Sequence, residues 1–183
     1  MTIVSNNEKL GLPPSLVIFT FDDGLNLHEE TTERLLDVLK KYQVKGVFCL
    51  LGVNVIKSPE IVWRIYNEGH SIVNHGFSDK FSIFMNDVEF RNNLRMADKA
   101  ISDALGFEMY PKLYRPQGGV YNNQQKKILI EEGYSIVPVT VKVLDVFVTS
   151  KGQEKLTRKI INAVKRQNGG IILLHDGRAA ERR

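Results

Sequence analysis

From residue 15 onward, short apolar, β-branched runs alternate with longer stretches of helical period, the pattern of repeated βα units. SLVIFTF (15–21) reads as a strand, EETTERLLDVLKKYQ (29–43) as a helix and KGVFCLLG (45–52) as a second strand. SPEIVWRIYNEG (58–69) opens on a Ser cap with Pro in the first turn and closes on Gly, which predicts a second helix. SIVNH (71–75) is a short third strand, followed by a long helix over 86–106 that again ends on Gly. A short strand lies at KLYRP (112–116), a helix at NNQQKKILIEEG (122–133) and a fifth strand at YSIVPVTV (134–141). VLDVFV (143–148) predicts a further strand, QEKLTRKIINAVKRQ (153–167) the last helix and GGIILLHD (169–176) the last strand.

Short connections between these elements predict a parallel α/β architecture, barrel-like or doubly wound, in a single domain over 1–183. In such folds functional residues collect at the C-terminal ends of strands. The residues there are Asp22 and Asp23 after the first strand, His75 and Asp79 after the third, and Arg115 after the fourth. Asp145 follows the fifth or sixth strand, and His175 and Asp176 close the last.

Composition narrows the class. The chain has 183 residues, 43% of them hydrophobic and 25% charged, enough to bury a substantial core. A net charge of +4, concentrated toward the C-terminus, does not by itself argue for nucleic acid, and none is expected as a partner. One cysteine, Cys49 in an apolar run, excludes a disulfide framework and reads as a buried structural thiol. No segment approaches membrane-spanning length, and no signal peptide is evident in the chain.

The strand ends carry specific chemistry. FTFDDG sets two adjacent carboxylates before a Gly, so one can bind a cation and the other act as base; a helix cap or Asp turn is the ordinary alternative. NHGFSD places His75 and Asp79 four apart, a spacing that alone is weak evidence for a metal and more often marks a helix start with a solvated Asp. His70 precedes the third strand and reads as a structural histidine at the opposite end of the barrel. Asp23, His75 and one more side chain would leave a coordination position open for water, as catalytic Zn²⁺ requires. Arg115 near Asp22 would orient that carboxylate, and the glycines behind it expose backbone N–H groups for an oxyanion. His175, with Asp145 close by, reads as a general acid.

Together these motifs resemble the polysaccharide deacetylase family, carbohydrate esterase family 4, the NodB-homology domain. FTFDDG, NHGFSD, YRPQGG, LDVF and IILLHD stand where that family has its five motifs, and the resemblance runs from about Val17 to Asp176. It implies a distorted, incomplete (β/α) barrel that removes N-acetyl or O-acetyl groups from a polysaccharide such as an N-acetylglucosamine-containing glycan, peptidoglycan or chitin among them. Asp23 and His75, with Asp79 in the place of the third ligand, would hold a divalent cation, Zn²⁺ first and Co²⁺ as an alternative. Asp22 would be the base, Gly118 the oxyanion donor, His175 the acid oriented by Asp145, and Arg115 the partner of Asp22. The resemblance also implies a secreted or cell-envelope setting.

Four positions depart from the family pattern. Asp79 stands in place of a histidine ligand, and Gly118 replaces an aromatic residue, which removes a wall of the groove. Lys142 and Val146 fall where Asp and Trp are frequent, and the chain ends at HDGRAAERR, one helix and strand short of the family's barrel. These departures leave a second expectation, a catalytically silent or weakened glycan-binding or scaffold protein of the same fold.

Overall fold

The alternation of apolar and polar positions in VIFTFDDG becomes strand β1, Val17–Gly24, in a computed structural model that describes residues 10–143, 145 and 150–176. Successive side chains point to opposite faces of a strand. Phe19 and Phe21 accordingly pack into the main core with Leu36, Leu39, Phe48 and Ile65, while Thr20 and Asp22 turn inward and meet Arg115.

The other strands are β2 (Gly46–Leu50), β3 (Ser71–Asn74), β4 (Leu113–Tyr114), β5 (Ser135–Ile136), β6 (Val141–Lys142) and β7 (Gly170–His175). All pairings are parallel, in the order β5-β4-β3-β2-β1-β7-β6, so the sheet curls into an open half-barrel with its longest strands at the centre. Helices α1 (Thr31–Lys41), α2 (Gly52–Val55), α3 (Pro59–Asn67), α4 (Asp87–Leu105), α5 (Asn123–Glu131) and α6 (Gln153–Gln167) make the crossovers. A second core, built on Phe90, Leu94, Tyr114, Ile128 and Leu129, lies between α4, α5 and β4.

Local chemistry explains most boundaries. Asn86 and Glu89 close a reciprocal capping box at the start of α4, Asn122 and Gln125 do the same for α5, and Gly106 ends α4 in the left-handed conformation. Ser58, expected to cap α3, makes no side-chain capping bond; Pro59 at the first position marks the start instead.

YSIVPVTV is not one strand. It splits at Pro138 into β5, paired with β4, and β6, paired with β7, at opposite edges of the sheet. Proline lacks the N–H a continuous ladder needs, and the released carbonyls of Val137 and Pro138 instead accept hydrogen bonds from Arg115. Most of the strand expected at 143–148, Val146 included, and the tail after Asp176 lie outside the described residues. No helix among the described residues is long and apolar enough to cross a membrane.

Candidate active site

The C-terminal ends of β1, β3, β4 and β7 open onto a cavity of about 220 Å³ whose lining includes Asp22, Asp23, His75, Asp79, Gly118 and His175. Asp22 and Asp23 are sequence neighbours, and a regular strand would send them to opposite faces. The β1–β2 register shifts between Phe21 and Gly24, and Asp23 adopts a left-handed backbone, φ 65°, so both carboxylates reach one cavity. Asp is among the few side chains that tolerate that conformation.

At the floor lies an ion pair. Arg115, directly after β4, is 1% exposed, and its Nη1 donates to Asp22 Oδ1 at 3.0 Å and Oδ2 at 3.1 Å. Its Nε donates to Val137 O at 2.9 Å, and its Nη2 to Thr20 Oγ1 and Pro138 O, each at 3.2 Å. All three guanidinium nitrogens are thus engaged, as a buried arginine requires. Cys49 is fully buried nearby; burial, and then the Asp22 charge, push its thiol well up, so it stays protonated. Cys49 is thus the buried free thiol that its apolar run predicts, and its nearness to the Asp22 charge has no signal in the local sequence.

His75 continues the β3 ladder, its N–H donating to Leu50 O at 3.0 Å. Its Nδ1 lies 2.8 Å from Arg115 O, and a carbonyl can only accept, so Nδ1 carries the proton. The other nitrogen, Nε2, faces Asp23 Oδ1 at 3.1 Å. A lone pair and a carboxylate cannot face each other at that distance unless a cation stands between them. Burial opposes protonation of His75, but the Asp23 hydrogen bond and the Asp22 and Asp23 charges outweigh it and raise the pKa. A divalent metal would meet the same need, and imidazole nitrogen with carboxylate oxygen is a donor set that Zn²⁺ accepts.

Asp79 does not follow His75 on a helical turn. Gly76 breaks the chain at φ 86°, where a Cβ would come within 2.6 Å of Asn93 Nδ2 and 2.8 Å of Gln117 Nε2. The Gly76 and Phe77 N–H groups are tied to Asn74 Oδ1 and Asn93 Oδ1, and Gln117 Nε2 donates to Ser78 O. Asp79 emerges beyond these anchors, exposed, at the cavity rim. Among the described residues no three His, Cys, Asp or Glu side chains stand together as a metal-binding group. Asp23 and His75 therefore fit a cation as a pair, and Asp79 stands apart from them.

On the far side, His175 Nδ1–H donates to Asp145 Oδ1 at 2.9 Å, and Asp145 Oδ2 accepts the His175 backbone N–H at 2.7 Å. This double grip fixes the ring and leaves Nε2 3.8 Å from Asp23 Oδ2. Asp176 belongs to a different contact: with Thr32 and the Asn26 N–H it ties the end of β7 to the loop after β1. His70 sits at the other end of β3, accepting the Gly46 N–H on Nδ1 and packing edge-on to Phe48.

Gly118 has φ 68°, and a Cβ there would fall 2.4 Å from Phe81 Cε1. The wall that Gly118 was expected to remove is therefore refilled by an aromatic ring from the segment after Asp79. Two further residues that pattern reading missed are Asn74, which links Asp98, Tyr134 OH, Leu94 O and the Gly76 N–H, and Gln117. Both brace the turn that carries His75; Asn74 opens NHGFSD and Gln117 lies inside YRPQGG, but a neutral amide beside His75 and Arg115 gives no chemical signal of its own.

A family model described as polysaccharide deacetylase matches residues 9–137. A peptidoglycan-N-acetylglucosamine deacetylase of Bacillus cereus is 40% identical over 129 residues, 70% of this chain and 46% of that protein. A second B. cereus protein of the same name is 30% identical over 95% of this chain and 76% of its own length. The chain spans about half the length of the first of these, and 32% of a Listeria monocytogenes relative. Among solved structures, the Bc1960 peptidoglycan N-acetylglucosamine deacetylase superposes with a TM-score of 0.77 at 34% identity, covering 91% of this chain and 74% of that one. A family 4 carbohydrate esterase from Streptomyces lividans, in complex with acetate, gives 0.73 at 25% identity over 91% and 82%. A family 4 pseudoenzyme from Bacillus anthracis, at 20% identity and a TM-score of 0.72, shares the fold. With the curled parallel sheet and these matches together, the chain belongs to the polysaccharide deacetylase family.

Proposed function

We propose that this chain is a metal-dependent hydrolase that removes acetyl groups, in the first place N-acetyl groups, from an N-acetylglucosamine-containing polysaccharide. One observation carries the reading: an Arg-paired carboxylate, Asp22, and an Asp-oriented imidazole, His175, flank the Asp23–His75 pair around a single cavity. The names of the relatives, peptidoglycan-N-acetylglucosamine deacetylase, chitooligosaccharide deacetylase and chitin deacetylase, support the substrate class.

Asp23 and His75 would hold the cation, with Asp79 reaching it only by moving in from the rim. When bound, a divalent cation would supply Lewis acidity, polarising an acetyl carbonyl and easing deprotonation of water. Asp22 is held in one orientation by Arg115 and takes the proton of the attacking water. As the carbonyl carbon becomes tetrahedral, the backbone N–H of Gly118, on the cavity wall, donates to the developing oxyanion. The C–N bond then breaks and His175 delivers a proton to the leaving amine from Nε2, while Asp145 holds Nδ1. The products are acetate and a free amine on the sugar. The test is acetate release from N-acetylglucosamine oligomers by zinc- or cobalt-loaded protein; silence on every acetylated glycan and model ester, where a family relative works, would refute the reading.

The exposure of Asp79 favours a second reading, a weakened or silent glycan-binding protein. Calorimetric titration separates the two. Glycan binding that ignores chelator, together with no uptake of micromolar Zn²⁺, belongs to the second reading alone.

A further inference from the structure

The segment that crosses Gly118 does more than fill a gap. Phe81 is 60% exposed and Phe84 is 85% exposed, yet Ser82 between them in the chain is fully buried. Ser82 O accepts from Gln125 Nε2 at 2.5 Å and from the Met85 N–H at 2.9 Å, and Ser82 Oγ accepts from Tyr114 OH at 3.4 Å. The two rings are thus presented to solvent from a pinned backbone, with centroids 6.5 Å apart and planes at 85°. Large apolar side chains held open in this way mark a surface that gains by covering.

Phe81 and Asp79 line the 220 Å³ cavity and also an adjoining groove of about 680 Å³ shared with Phe77, Phe84, Met85 and Met96. The groove has apolar ring faces and a polar edge made by Asp79, Glu89 and Asn92. A pyranose ring has the matching form, a C–H face that lies on an aromatic ring and a periphery of hydroxyls that seek carboxylate and amide partners.

We propose that Phe81 and Phe84 form a sugar-binding subsite that receives a pyranose neighbouring the residue being deacetylated, on the same glycan chain. Continuity with the reaction cavity through Phe81 selects a glycan over an apolar peptide as the occupant. This inference rests on the deacetylase reading, and its test separates the two.

The experiment compares kcat/KM for an N-acetylglucosamine tetramer and monomer in the native protein, Phe81→Ala, Phe84→Ala and Phe84→Tyr. The tetramer-to-monomer ratio should fall about tenfold in each alanine variant and recover in Phe84→Tyr, the scale of one aromatic contact. A ratio that does not move in Phe84→Ala overturns the subsite while leaving the deacetylase reading standing. If no acetate is released from any substrate, the deacetylase reading fails and calorimetric binding of the tetramer decides the subsite. Binding weakened at least about fivefold in Phe84→Ala supports it; equal binding, or none by the native protein, overturns it.

Discussion

At the floor of the cavity, Asp22, His75 and Arg115 are at most 4% exposed, and every one is held by at least two hydrogen bonds. At its rim, Asp79 is exposed and Phe81 is 60% exposed. Floor residues are fixed before substrate arrives, so geometry there is set by folding energy. Rim residues are free to vary without unfolding the chain. The departures from the family pattern at 79 and 118 both lie on the rim, whereas the paired groups of the floor are complete. On the proposed reading the base and its ion pair belong to the floor, while the changed positions, the third-ligand position at 79 included, belong to the rim.

The contrast breaks most visibly at Asp22. Asp22→Asn should lower kcat by about a thousandfold, the scale of losing a positioned base, measured as acetate release from a glycan oligomer. A loss under tenfold would mean that the buried carboxylate is structural. Arg115→Leu should destabilise the fold by about 3–5 kcal/mol in denaturant titration, because it leaves Asp22 buried without its cation. By comparison, Asp79→Ala should stay within about 0.5 kcal/mol of the native protein, as exposed positions do. Equal costs for the two would erase the distinction between floor and rim.

Asp79→His sharpens the comparison from the other side. A longer imidazole arm can approach the Asp23–His75 pair, so Zn²⁺ affinity should rise by about tenfold in calorimetry, within the range for changes around a metal site. Weaker binding would instead make the aspartate an adapted ligand. The smallest effect is in protonation. In metal-free protein the imidazolium of His75 is stabilised mainly by the Asp23 hydrogen bond against the cost of burial, so its NMR signals should titrate above the ordinary histidine value of about 6.5. The stabilisation that this pair provides is complete below that ordinary value and is lost as pH rises through the raised one. Bound metal should abolish the titration. A midpoint at or below 6.5 would show that Asp23 and His75 do not face each other as described.

Much of this floor was legible in the sequence, for a simple reason. Strands such as SLVIFTF and GGIILLHD are apolar enough to mark their own ends, and parallel topology gathers those ends, so Asp22, Asp23, His75 and His175 could be placed together in advance. What escaped depends on backbone detail or on contacts distant along the chain. The left-handed step at Asp23 that turns both carboxylates to one cavity has no compositional mark, since Asp is at home in an ordinary strand end too. The split of YSIVPVTV reflects a single proline and edge strands two residues long, too short for periodicity to register. The packing of Phe81 on Gly118 joins segments thirty-odd positions apart, and an aromatic in a polar loop looks unremarkable until the ring that it meets a glycine under is seen. The aromatic wall of the rim is therefore disclosed by the folded chain, not by the sequence.

The most direct test of the account is acetate release from an N-acetylglucosamine tetramer, measured on the chelated protein before and after Zn²⁺ is restored. Metal-dependent release that reappears with Zn²⁺ and is abolished by Asp22→Asn is the predicted result. Release that persists in chelator, or none in any metal-loaded sample, would contradict it.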